Sequence, residues 1–265
     1  MRTHSTARRS RKPLGVILYV GPSRLDGKRI VLIATLSTNN AKTGDMIQTW
    51  ILLADTPPIE AINTGDDEAI CGDCPLRGII KQLARRKGKR ARVNKNRGCY
   101  VKVSNAPRSI YEAYKRGRYE YWDKEKHAQY FEGRKLRLGA YGDPVAVPLP
   151  IWKRVLPLCV GWTGYSHQWK RIKYQRWSRY IMASTHSEAE NALARRLGWR
   201  TFRTRKADQP IAADEIVCPA SDEAGKRLTC ETCLACCGGR PQQRSIVIIG
   251  HGSPAVLASV NKTSN

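Results

Sequence analysis

Five of the chain's nine cysteines fall between Glu215 and Arg240: Cys218, then eleven residues, then Cys230-x2-Cys233-x2-Cys236, with Cys237 following directly. Thiolates are soft donors, and four converging on one small volume make a tetrahedral metal or iron–sulfur site, round which a Gly-rich polar backbone can fold. A zinc ribbon brings together two separate C-x2-C knuckles. A C-x2-C-x2-C run plus one distant cysteine is nearer the ferredoxin spacing, so the pattern favours an iron–sulfur cluster over zinc, although the closing Cys-Pro of a ferredoxin run is missing. Neighbouring side chains cannot easily both reach one ion, so Cys236 rather than both it and Cys237 joins Cys218, Cys230 and Cys233 as expected ligands.

A second group is more dispersed. Cys71-Gly-Asp-Cys74 forms a C-x2-C knuckle, and Cys99 follows after twenty-four residues. Three thiolates on a cubane cluster leave one iron open to a small ligand, whereas the bland alternative is a lone knuckle with buried bystander thiols. Between Cys74 and Cys99 lie ten Lys or Arg residues and no acid, among them Arg85, Arg86, Lys87, Lys89 and Arg90. Cys159, in an apolar setting, reads as packing.

The charge balance frames these sites. Against 22 Asp and Glu stand 47 Lys and Arg, a formal charge of +25, which draws the surface towards polyanions and above all nucleic acid. Two further segments interleave cations with aromatic rings, Trp169–Tyr180 (with Lys170, Arg171, Lys173 and Arg176) and Arg195–Lys206, so that guanidinium groups could meet phosphates while rings stack on bases. The alternative is that the rings belong to the core and the cations snorkel over it. Nine clustered cysteines in 265 residues are ligand-like rather than a disulfide scaffold, and no stretch reaches the roughly 18 apolar residues of a membrane span, so a reducing host cytoplasm is expected.

The elements that must position these groups are short strands alternating with helices. Residues 1–12 carry five basic residues and no acid and read as a basic arm. Apolar, β-branched runs at Leu14–Val20, Arg29–Thr35 and Thr49–Leu53 read as strands; the polar segment 37–45 between the last two reads as a hairpin loop with some capacity for a phosphate or carboxylate. Residues 107–134 read as a tyrosine-bearing helix. Beyond it come strands at Lys135–Leu138, Val160–His167, Tyr180–His186, Trp199–Arg203, Glu215–Val217 and Ser245–Gly250, with helices at Val147–Leu158 and from Ser187 to Arg196. This alternation predicts an α/β fold with a mostly parallel sheet, a partial or complete β/α barrel, and a cysteine-rich C-terminal metal subregion; the parts are 1–12, 13–134 and 135–265. Parallel sheets carry function at their carboxyl ends, which singles out Asp143, Tyr165, His167, His186, Cys218 and His251. Of these, Asp143, His167 and His186 are the candidate catalytic groups, the histidines for proton transfer.

The run Cys218-Pro-Ala-Ser followed by Thr229-Cys230-x2-Cys233-x2-Cys236, the earlier Gly98-Cys99-Tyr100 and the pair Gly142-Asp143 together resemble the uncharacterised phage gene-product-88-like family over roughly residues 35 to 252. That resemblance implies a phage or other mobile element as the setting and no particular activity. More distantly, the layout is similar to radical S-adenosylmethionine enzymes, with a barrel, three front cysteines and a rear auxiliary cluster. S-adenosylmethionine is thus a further cofactor to weigh, against the departure that those enzymes hold C-x3-C-x2-C in one loop. The expectation is a metal-cluster protein acting on or binding DNA or RNA. The alternatives are a non-catalytic zinc-stapled nucleic-acid-binding protein and a hydrolytic nuclease with a divalent ion on Asp143, for which no paired-acid motif is present.

Overall fold

The computed structural model describes residues 13–78, 97–239 and 243–250. The strands are β1 (Gly15–Pro22), β2 (Arg29–Thr35), β3 (Ile47–Leu53), β4 (Glu120–Tyr121), β5 (Lys135–Tyr141), β6 (Gly161–Ser166), β7 (Met182–Thr185), β8 (Thr201–Arg205), β9 (Glu215–Val217) and β10 (Ser245–Ile249). The helices are α1 (Pro58–Thr64), α2 (Glu68–Cys71), α3 (Ala106–Lys115), α4 (Lys124–His127), α5 (Leu149–Val155), α6 (Glu188–Arg196) and α7 (Cys230–Cys233).

All ten strands form one sheet in the order β4-β1-β2-β3-β5-β6-β7-β8-β10-β9. Seven of the nine pairings are parallel; β1–β2 and β2–β3 are antiparallel. The sheet is open, so the complete barrel is not formed: its edges are the two-residue β4 and the three-residue β9. The parts 13–134 and 135–265 meet inside this sheet where β3 pairs with β5.

Burial explains the strand sequences. In β2 (RIVLIAT) and β3 (IQTWILL) almost every side chain is buried, as expected for strands covered on both faces, and their β-branched content suits that environment. In β5 burial alternates along the first four residues, whereas β10 (SIVII) is again buried on both faces. The expected helix over 107–134 is broken: α3 stops at Lys115, Gly117 takes φ +66°, and the chain adds β4 to the edge of β1 before α4. Glycine tolerates that backbone, and the helix cannot continue through it. Ser187 caps α6 as its sequence promised, its side chain accepting from Glu190 N at 3.1 Å.

Candidate functional site

Alternate residues of β3, β5, β6, β7, β8 and β10 point to one side of the sheet: Gln48 and Trp50, Arg137, Thr163 and Tyr165, Ser184, Phe202 and Thr204, Ile246 and Ile248. Together they line a cavity of about 1040 Å³. One face of six strands can wall a single space only if the sheet curls round it, so the open sheet behaves as a trough. Seven thiols line the same cavity: Cys71, Cys74, Cys99, Cys218, Cys230, Cys233 and Cys236. All nine cysteines are free thiols. Cys237 does not line the cavity, and Cys159 packs half-buried against the core, where burial pushes its thiol up to about 12.

The first thiol group lies past the carboxyl ends of the parallel strands. Cys71 closes α2, and Gly72 follows at φ +53°, with the Gln168 amide packed where a Cβ would stand. Gln168 Nε2 donates to Cys71 O at 3.2 Å, while Arg77 reaches back to Gly72 O (2.9 Å), Gly65 O (2.8 Å) and the Asp67 carboxylate (2.8 Å). The knuckle is therefore held from two sides. Burial raises Cys71 well above its usual range and takes Cys74 to about 12, and neighbouring thiols add to both shifts. Amide donors oppose this at Cys74, which receives the N–H groups of Leu76 and Arg77. The Cys99 thiol receives the N–H of Val101 at 3.5 Å.

In the second group the Cys230–Cys236 loop sits near the starts of β3 and β6, while Cys218 follows β9 directly. Thr229 caps α7 in a reciprocal box with Thr232, and the helix docks on the loop before β3 through Cys230 N to Lys42 O (2.9 Å) and Glu231 N to Thr43 O (3.1 Å). The Glu231 carboxylate accepts from Asp45 N at 2.8 Å. The polar segment 37–45 thus holds a carboxylate from its own chain. Cys236 is buried, its carbonyl accepting from Gly164 N at 3.0 Å and its thiol from the Tyr165 hydroxyl; burial carries it to about 12. Burial also raises Cys218, against an opposing amide from Ala220, and its neighbours include the Cys230 and Cys233 thiols. Among the described residues no three His, Cys, Asp or Glu side chains stand close enough together to form a finished metal-binding group. What fits a soft cation is the donor set: buried and half-buried thiols in two groups, three of them receiving the amide two residues on, the contact that favours a thiolate in metal–sulfur sites.

Of the residues that the strand-end rule selects, His167 and His186 follow β6 and β7 directly, Asp143 follows β5 after Gly142, and all three line the cavity. The Asp143 carboxylate accepts from His167 N (2.9 Å), Ser166 Oγ (3.0 Å) and Val145 N (3.2 Å), while its own N–H donates to Ile70 O at 2.6 Å. Burial raises its carboxyl to about 7 despite those donors. His167 and His186 meet Nε2 to Nε2 at 3.0 Å with ring planes 9° apart, and His167 Nε2 lies 3.9 Å from Cys74 Sγ. Burial lowers both histidines, so the pair is neutral and one ring donates to the other's lone pair. His186 N donates to Glu190 at 2.9 Å, which fixes the second ring's backbone.

The basic residues divide. Lys170 pairs with Glu190 at 2.7 Å and stacks on Trp169; Arg171 forks onto Asp73 at 2.8 and 2.9 Å. Lys173 lies over the Tyr174 ring, and Arg176 lines a shallow groove with Lys153 and Arg179. The segment Arg195–Lys206 is corrected more sharply. Arg203 is buried in a two-pronged pair with Glu215, at 2.7 and 2.6 Å, and Arg205 is buried against Glu223, so neither is available to a phosphate. Arg200, which the sequence reading did not single out, donates to four backbone carbonyls, Ala235, Gly238, Gln243 and Arg244, and so moors the cysteine loop to the start of β8. A buried arginine in a cysteine-rich protein carries no local signature that distinguishes it from a surface cation. Arg85, Arg86, Lys87, Lys89, Arg90 and His251 lie outside the described residues. No helix among the described residues is long and apolar enough to cross a membrane. No protein-family model, no curated protein and no solved structure matches the chain.

Proposed function

We propose that this chain is a thiol-ligated metal-cluster protein, iron–sulfur in preference to zinc, that acts on or binds nucleic acid in a phage or other mobile element. The observation that carries the reading is that seven cysteines from four separate stretches of chain line one cavity. Cys71, Cys74 and Cys99 would hold the cluster at the carboxyl ends of the strands, and Cys218, Cys230, Cys233 and Cys236 the second one. Such a group, when bound, supplies one-electron chemistry. The chain's own residues would do the rest: Asp143 sets the His167 backbone, and the neutral His167–His186 pair would accept a proton from a reacting group and share the resulting charge through its Nε2–Nε2 hydrogen bond. The formal charge of +25 supports the polyanion partner, and the resemblance to the phage family supports the setting. The C-x2-C knuckle with a distant Cys99 departs from the single-loop pattern of radical S-adenosylmethionine enzymes, so the residues do not fit that cofactor's usual iron–sulfur site.

The test is iron, zinc and acid-labile sulfide analysis of anaerobically purified protein, alongside Cys74→Ser and Cys230→Ser. The expected result is a brown protein that loses a separate share of its iron and sulfide in each variant. A colourless protein with stoichiometric zinc would replace the redox reading by the zinc-stapled one, and absence of any bound metal would end both.

A further inference from the structure

Between the two thiol groups the cavity wall has a chemistry of its own. Arg137 of β5 pairs in register with Thr163 of β6, so both side chains stand side by side on the trough face. The Arg137 guanidinium lies 5.7 Å from the Tyr165 ring centroid and meets no carboxylate within ion-pair distance among the described residues. Thr163 is 1% exposed, and its hydroxyl has no hydrogen-bond partner among the described residues. A hydroxyl desolvated without a partner costs about 1–3 kcal/mol, a cost that an acceptor brought beside Thr163 in the cavity recovers. Beside them the Tyr165 and Phe202 rings lie with centroids 4.7 Å apart and planes tilted by 56°, and the small Ser184 lies on the strand between them.

Charge fixes the sign of the ligand. Asp143 is the one acid among the described residues lining the cavity; three donors already occupy it, and it carries a proton up to about pH 7. Against it stand Lys42, Lys102 and Arg137. A guanidinium in a confined, acid-poor space next to an unsatisfied hydroxyl is a seat for an oxyanion, and the flanking rings suit a planar group. We propose that the middle of the cavity binds a small aromatic oxyanion, its carboxylate or phosphate paired with Arg137 and hydrogen-bonded by Thr163, its ring against Tyr165 and Phe202. This subsite rests on Arg137 and Thr163 and requires no metal.

Calorimetric titration of the full chain with phenyl phosphate, benzoate and uncharged benzyl alcohol tests it. One or both anions bind saturably and the alcohol at least about tenfold more weakly, and whichever anion binds tighter names the oxyanion. Arg137→Gln weakens the anion about tenfold or more, and Arg137→Lys recovers part of the loss. Thr163→Val is the discriminating variant, because its hydroxyl has no bond among the described residues to lose: thermal stability holds or rises while anion affinity falls about three- to tenfold. No saturable binding of either anion, or unchanged affinity in both Arg137→Gln and Thr163→Val, overturns the proposal. Metal content separates this outcome from the metal reading, since Arg137→Gln loses anion affinity and keeps whatever metal the parent holds.

Discussion

Replacing Arg200 by methionine tests how the cysteine loop is held. The guanidinium makes four bonds to carbonyls, to Arg244 at 2.6 Å, Gly238 at 2.8 Å, Ala235 at 3.0 Å and Gln243 at 3.2 Å, and it is 7% exposed. Hydrogen bonds from a charged donor contribute about 1.5 kcal/mol each at the low end, or roughly 6 kcal/mol for four. Removing the charge returns several kcal/mol of its desolvation cost, which leaves a net loss of about 3 kcal/mol. Methionine fills a similar volume, so the loss comes from the carbonyls left bare. Two of the bonds, to Ala235 and Gly238, hold the turn that carries Cys236, and two, to Gln243 and Arg244, hold the entry to β10, so part of the cost is local opening of that turn. Two readouts follow: a lower urea midpoint by circular dichroism with the slope unchanged, and faster alkylation of Cys236 under native conditions, followed by peptide mass spectrometry. An opening cheaper by about 3 kcal/mol corresponds to a labelling rate more than a hundredfold higher. Arg196→Met, on the exposed face of α6, is the control and changes neither. An Arg200→Met protein with unchanged midpoint and unchanged Cys236 labelling would refute the mooring role.

Asp143→Asn changes the pH dependence of stability. The native carboxyl titrates at about 7 against 3.8 unfolded, so the native state binds the extra proton between those values; its contribution is complete below about pH 4, falls by about 4 kcal/mol as pH rises to 7, and is flat above. The amide removes that slope, and urea midpoints of the variant at pH 5 and pH 8 should differ far less than those of the parent. Gly238→Ala places a Cβ 2.5 Å from the Tyr180 carbonyl carbon at φ +86°, and should cost about 2–4 kcal/mol, read as a lower melting temperature. For polynucleotide binding, log Kd against log salt should flatten by about one unit for Arg176→Gln or Arg179→Gln, which line the open groove, and stay unchanged for Arg171→Gln, whose fork is filled by Asp73. Equal slopes in all three would remove that groove as the phosphate contact.

The local pattern settled much about this protein. β-branched runs between turn residues marked most of the strands, Ser187 and Glu190 marked the start of α6, and the rule that parallel sheets carry function at their carboxyl ends pointed to Asp143, His167 and His186, which line the cavity. These features depend on neighbours a few residues apart. Three matters depended on pairings between distant stretches, and only the tertiary structure decided them. The sheet stays open because it ends on short β4 and β9 strands that do not meet. Both cysteine groups face one space because curvature gives the strands an inside, and alternation along a strand cannot say which side that is. The cations sort by the same physics: Arg200, Arg203 and Arg205 read like the exposed Arg196, yet buried carbonyls, Glu215 and Glu223 wait for them across the fold. A charge acquires its partner in space, so its role is settled only when the chain has closed around it.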